Sequence, residues 1–128
     1  MEAAAVVSHN LSIVRGGKRI LQHVSFRIDP GSVTGLIGPS GSGKTTLMRA
    51  IVGLQKVTDG AIDVLGLPAG SAPLRPRIGY MAQSLSVYED LSVWQNVIYF
   101  ARILGYPHEE AVRVIEVVDL AAQQRQMV

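Results

Sequence analysis

The chain has no cysteine, which excludes a disulfide framework and any thiolate metal site and is compatible with a reducing compartment. Excess charge is also scarce. Twelve Lys and Arg against ten Asp and Glu leave a net charge of +2, too little and too scattered to suggest nucleic acid as a partner. Long apolar runs are missing. Val97 to Ala101 is interrupted by Arg102, and nothing approaches the roughly 20 residues needed to cross a bilayer, so any membrane role is expected to be peripheral. The opening Met1-Glu2-Ala3-Ala4-Ala5 lacks the basic and apolar regions of a secretory signal, and export is not expected. There is no internal repeat and no low-complexity tract. What remains is a chain of 128 residues, 48% hydrophobic and 17% charged, the size and composition of one folded domain with a real core.

The first thirty residues predict two strands, with Gly16-Gly17 as the turn and Val24, Phe26 and Ile28 opposed to Ser25 and Arg27. Asp29-Pro30-Gly31 makes a further turn. The run Val33 to Ile37, short and bounded by glycines, predicts a buried strand. Leu47, Met48, Ile51 and Val52 then fall at helical spacing between Lys44 and Val52, and Gly53 sits where a helix C-terminal glycine belongs. Ala61 to Leu65 and Arg77 to Ala82 predict two more strands, separated by a loop of breakers from Gly66 to Pro73. Ser92-Val93-Trp94-Gln95 has the spacing of a capping box, opening a helix to about Leu104. Gly105 ends it. Pro107, Glu109 and Glu110 open another that reaches about Val118.

Between the run at 33–37 and the helix that follows, Gly38-Pro39-Ser40-Gly41-Ser42-Gly43-Lys44-Thr45 satisfies G-x-x-x-x-G-K-[ST], in the strand-to-helix context that the phosphate loop requires. A triphosphate needs several donors converging on one concave site, unobstructed by side chains. Gly41 and Gly43 allow that approach, and successive backbone N–H groups form an anion nest at the positive end of a helix. Lys44 supplies an ammonium for the β- and γ-phosphates. Thr45 offers a hard oxygen to Mg2+, and Thr46 is placed to reach the α-phosphate. A glycine-rich helix cap accounts for Gly38, Gly41 and Gly43 but not for a Lys followed directly by two Thr.

The loop alone does not choose among kinases, GTPases and transporter ATPases. Its surroundings do. Ile20 to Phe26, Gly31 to Leu47 and Thr58-Asp59-Gly60 resemble the opening of an ABC-transporter ATP-binding domain. Ile78-Gly79-Tyr80-Met81-Ala82-Gln83 resembles that family's Q-loop strand, and Tyr88 to Val97 the segment leading into its helical subdomain. Tyr99 to Gly105 is similar in wording to exporters of the ABC-2 type. The resemblance implies an α/β phosphate-loop NTPase with a three-layer αβα core and an N-terminal antiparallel β portion, ending before completion. Residues 1–85 would form the ATP-binding core and residues 86–128 the start of a helical subdomain. It also implies ATP and Mg2+ as ligands, Gln83 as a contact to the metal and to the surroundings of the attacking water, and two protein partners. These are a transmembrane permease, on whose cytoplasmic face the chain would sit, and a second nucleotide-binding domain. The family's signature segment and its catalytic Glu would lie beyond Val128.

One residue departs from the family pattern. Where an aromatic ring usually stacks on adenine, this chain has Arg15 followed by Gly16. A guanidinium plane can stack on a base, or Arg15 can be an ordinary turn residue in solvent. Other apparent motifs carry less. Asp63-Val64-Leu65-Gly66 fits a short GTPase motif without its guanine-reading partner, Val114 to Asp119 fits a helical face better than a catalytic strand, and Trp94 and Tyr99 have helical settings suited to packing. His9, His23 and His108 show no metal-ligand spacing. Three function classes stay open: a transport ATPase subunit, a nucleotide-binding module without turnover, and a portion that does not fold stably alone because its parallel-sheet edges are uncovered.

Overall fold

The computed structural model describes residues 3–128. They form two compact units, one ending at Tyr80 and the other running from Met81 to Val128.

In the first unit, β1 (Val6–Arg15) and β2 (Lys18–Ile28) make the expected hairpin around Gly16 and Gly17, both of which take positive φ. β3 (Asp59–Val64) pairs antiparallel with the other side of β1, and the short β4 (Leu67–Pro68) pairs with β3. The sheet order is β2-β1-β3-β4, which leaves β2 on an edge. Alternation along β1 changes phase in the middle. Val6 and Ser8 are buried before Asn10, whose φ is 45°, and Leu11 and Ile13 after it. This is the signature of a β-bulge, which adds one residue to a strand and turns the following side chains over. Buried hydroxyls satisfy what the irregular ladder leaves unpaired. Ser8 Oγ donates to Val24 O at 2.7 Å, and Ser12 Oγ accepts from His23 N at 3.1 Å.

α1 (Lys44–Ile51) lays Leu47 and Ala50 on a core made of Val6, Leu11, Ile13, Ile62, Val64 and Leu74. Leu11 and Ile13 are fully enclosed, worth about 1.5–3 kcal/mol each relative to exposure. The far end of α1 is pinned by a glycine pair, since a Cβ on Gly53 would stand 2.3 Å from Gly70 Cα.

Two predicted strands do not form. Residues 33–37 belong to no helix or ladder, and Val33 and Ile37 are almost wholly exposed. In place of a strand over 77–82 there is a 3-10 helix, Ala72–Arg77, followed by extended chain that runs across the division between the units. Both runs have strand-like composition, but a strand exists only when another pairs with it, and no described residue pairs with either. The fold is mixed α/β with an N-terminal antiparallel sheet.

In the second unit, α2 (Val93–Ile103) opens on the expected capping box. Gln95 N donates to Ser92 Oγ at 3.1 Å, and Ser92 N donates to Gln95 Oε1 at 2.8 Å. The chain's last residues satisfy further donors of the first turn, with Val93 N bonded to Gln126 O and Trp94 N to Gln124 O. Gly105 takes φ 77° after α2, and α3 (His108–Val117) follows with Pro107 as its N-cap. Trp94 packs edge-on against His108 with ring centroids 5.0 Å apart. Asn96 is the buried polar hub. Its side-chain amide donates to Tyr88 O at 2.9 Å and Ser92 O at 3.1 Å, and its oxygen accepts from Tyr88 N at 2.8 Å. Asp119 follows α3 with φ 57° and is not part of a strand.

Candidate functional site

The phosphate loop leads into α1, whose N-cap is Gly43 at φ 96° with no side-chain cap. The first-turn N–H groups of a helix have no intrahelical acceptor, and here no side chain takes one up. Ser42 N donates to Pro39 O at 3.2 Å, closing the turn before the helix. Gly41 also takes positive φ, at 79°, with open space around the place a Cβ would occupy. Together these residues make a strip of backbone with its donors uncovered, the geometry that suits an anion.

Lys44 lies over the loop. Its ammonium donates to Gly38 O and, at 2.7 Å, to Pro39 O, with Ser42 Oγ at 3.3 Å. An ammonium has three donors, and these contacts hold its charge within the loop's concavity. Thr45, next along α1, is exposed, whereas Thr46 is buried on the side of the helix that also buries Leu47 and Ala50. Gly38, Pro39, Ser40 and Ser42 are exposed along the approach to the loop.

What holds the loop in place is a feature that sequence reasoning missed. A Cβ on Gly43 would stand 2.8 Å from Leu21 Cδ2, 3.2 Å from Ile20 Cγ2 and 3.3 Å from Ile20 O. The loop therefore rests on the outer edge strand β2, and any Cβ at Gly43 would require the Leu21 side chain to move. β1 pairs Ile13 with Leu21 and Val14 with Arg19, which leaves Ile20 as the extra residue of a bulge. That irregularity explains how two successive side chains of one strand meet a single glycine, since a bulge breaks strict alternation.

Arg15 ends β1 and is exposed at the hairpin tip. Gln83 is exposed at a bend in the second unit. No group of three or more His, Asp or Glu able to hold a metal occurs among the described residues. A cation here would accordingly draw on hydroxyl or amide oxygens and on a phosphate, as Mg2+ commonly does. Thr45 fits that donor set.

The model of the family described as ABC transporter matches residues 21–128. The chain belongs to the ABC transporter ATP-binding family. Sulfate/thiosulfate import ATP-binding protein CysA of Nephroselmis olivacea is 38% identical over 94 residues, covering 73% of this chain and 27% of that protein. Methionine import ATP-binding protein MetN of Nocardia farcinica is 35% identical over 129 residues, covering 92% of this chain and 39% of that protein. The probable multidrug ABC transporter ATP-binding protein YbhF of Escherichia coli is 41% identical over 85 residues, covering 65% and 15%. A solved structure described as the ATP-binding subunit of an ABC transporter superposes with a TM-score of 0.82 at 25% identity, over 96% of this chain and 54% of that one. The chain thus spans well under half the length of these curated relatives. Their names cover different solutes, so membership in the family leaves the subfamily open.

In the second unit, electrostatics is confined to the surface. Arg113 beside Glu110, at 2.8 Å, holds that carboxyl below its ordinary range, and the same pairing raises Arg113. A side-chain hydrogen bond between Tyr88 and Tyr99 holds the Tyr88 hydroxyl above its ordinary range. No helix among the described residues is long and apolar enough to cross a membrane.

Proposed function

We propose that this chain supplies the triphosphate-binding half-site of an ABC transporter ATPase, holding Mg-ATP through Gly38 to Thr46. The single observation that carries the reading is the stretch Gly41 to Thr45, where a helix start without a side-chain cap, two positive-φ glycines and the Lys44 ammonium, bonded back to the loop, come together. Gly41 and Gly43 admit the phosphates to the backbone, Lys44 neutralises charge on the β- and γ-oxygens, and Thr46 helps seat the α-phosphate. Thr45 would hold Mg2+, whose chemistry is to neutralise charge on the β- and γ-phosphates; Gln83 is proposed as a metal contact from family resemblance alone. Arg15 is assigned to the nucleotide end of the site.

The coupling of ATP hydrolysis to solute transport, a transmembrane permease, a second nucleotide-binding domain and a position on the cytoplasmic face of a membrane all belong to the same proposal. They rest on family membership and on the longer relatives. The run 33–37 supports it, because an exposed apolar segment of strand-like composition is one that gains by pairing with a further strand. The narrower reading as an ABC-2 type exporter rests on the wording of Tyr99 to Gly105.

Titrating Mg-ATP into the purified chain beside Lys44→Ala tests the site. Charge-assisted hydrogen bonds contribute about 1.5–3 kcal/mol, so the variant is expected to bind roughly 10–150-fold more weakly with an unchanged far-UV spectrum. Equal affinity in the two proteins would refute the assignment.

A further inference from the structure

A cavity of about 570 Å³ lies wholly within the second unit, lined from the first turn of α2, the first turns of α3 and the chain's last residues. Sites for small organic molecules have that size. Its walls are fixed by the backbone. Trp94 N donates to Gln124 O at 2.8 Å, Val93 N donates to Gln126 O at 2.9 Å, and Ser92 bridges Met127, so the segment carrying Arg125 is tied to the start of α2. Two of the lining side chains are fixed as well. The capping box engages Gln95, and the Trp94 ring stands edge-on to His108, the first residue of α3.

The polar groups lining this cavity are mostly donors. Arg125 brings a guanidinium, Trp94 an indole N–H, His108 an imidazole, and Gln95 and Gln124 side-chain amides. Gln95 Oε1 already accepts from Ser92 N, which leaves that side chain its amide N–H groups. The ion pairs among the described residues join Arg27 to Asp29 and Arg113 to Glu110, so Arg125 belongs to neither, and its guanidinium and the Trp94 indole N–H make no hydrogen bond among those residues. No carboxylate lines the cavity. Glu109 and Glu110 follow His108 in sequence but stand outside the lining, and Glu110 is taken by Arg113. The rest of the wall is apolar, from Val112 and Met127, and a thioether beside an indole suits a further aromatic ring.

A cation without a partner, set among neutral donors and beside an aromatic and apolar wall, selects an anion that carries an apolar body. An inorganic anion gains nothing from Val112 and Met127, and an organic cation meets Arg125. The planar guanidinium matches a carboxylate with two parallel hydrogen bonds. We infer that this cavity binds a small organic carboxylate bearing an apolar ring, with the carboxylate on Arg125 and the ring against Trp94, Val112 and Met127. The site is additional to the phosphate loop and does not depend on the triphosphate reading.

Trp94 is the only tryptophan of the chain, so its indole N–H gives one isolated signal in a nitrogen–proton correlation spectrum and reports on the cavity directly. The test titrates the chain with phenylacetate, with phenylacetamide, which keeps the ring and loses the charge, and with acetate, which keeps the charge and loses the ring. Phenylacetate is expected to shift the Trp94 signal and the Gln95 and Gln124 side-chain signals to saturation, with a dissociation constant on the order of 1 mM for so small a ligand. Phenylacetamide is expected to bind about tenfold more weakly, and acetate more weakly again. In Arg125→Gln, which removes an exposed side chain that bonds to nothing, the acid and the amide are expected to bind alike. No saturation by about 20 mM phenylacetate overturns the inference, as does equal affinity for acid and amide on wild type or a preference for the acid that survives in Arg125→Gln. Shifts at the Gly41 and Gly43 backbone signals in place of Trp94 would put the carboxylate on the phosphate loop and overturn it too. The three-ligand comparison on wild type needs no variant, so the outcome does not hang on how Arg125→Gln folds.

Discussion

Replacing Gly43 by alanine isolates the packing of the phosphate loop on β2. The new methyl group must tolerate φ 96°, which costs an L-residue about 1–2 kcal/mol. It must also displace Leu21 Cδ2, 2.8 Å away, and press on Ile20 Cγ2 and O at 3.2 and 3.3 Å. Pushing a side chain off its rotamer adds about 0.5–1.5 kcal/mol. The sum, about 1.5–3.5 kcal/mol, corresponds to roughly 10–400-fold in the population of a binding-competent loop. Gly41→Ala is the internal control. Its φ is 79°, but nothing lies within 4 Å of the added Cβ, so it bears the conformational cost alone, about 1–2 kcal/mol. Leu21→Ala combined with Gly43→Ala removes the nearest clash and should recover part of the loss. Mg-ATP titration together with urea denaturation of each variant reads both quantities. Gly43→Ala and Gly41→Ala matching in affinity, or a double variant no better than Gly43→Ala, would show that the edge of β2 does not seat the loop.

Other variants test the second unit. Asn96→Ala leaves Tyr88 N without its acceptor, while Tyr88 O keeps Leu91 N and Ser92 O keeps Asn96 N; one unpaired group costs about 1–3 kcal/mol, so amide exchange across α2 should accelerate. Ser92→Ala removes the cap, and a loss of about 1 kcal/mol is expected in denaturant titration. Glu110 has a depressed carboxyl pKa because of Arg113, so its contribution is complete above the ordinary carboxylate pKa and disappears as pH falls through the folded value. Both groups are exposed, and the effect is small. Wild type is expected to melt slightly above Glu110→Gln at neutral pH and together with it in acid; a gap that widens in acid would contradict the pairing.

Elements made by local chemistry were legible in the sequence. Ser92 and Gln95 announced a capping box because both partners lie within one turn, and Gly53 and Gly105 marked helix ends because positive φ is a property of one residue. The hairpin around Gly16-Gly17 was legible for the same reason. Val33 to Ile37 and Arg77 to Ala82 were not, because composition reports what a segment would gain by pairing and is silent on whether a partner is present. Asn96 was overlooked for a related reason: a polar residue on a helix becomes a hub only when a loop, here at Tyr88, folds over it.

The candidate site divides along the same line. Gly38 to Thr46 could be named from spacing because the loop's donors come from consecutive residues, each acting at its own position. The surface beneath it could not, because Ile20 and Leu21 look like ordinary alternating strand residues. The bulge that brings both against Gly43 is a consequence of register with β1, set by pairings as distant as Val6 with Ile28 and Arg15 with Lys18. A motif fixes which atoms can meet a phosphate, whereas the register of a neighbouring hairpin fixes where that motif stands and which charges surround it. Two chains with the same phosphate loop can therefore seat it differently through residues that no loop motif contains, and in this chain those residues are Ile20 and Leu21.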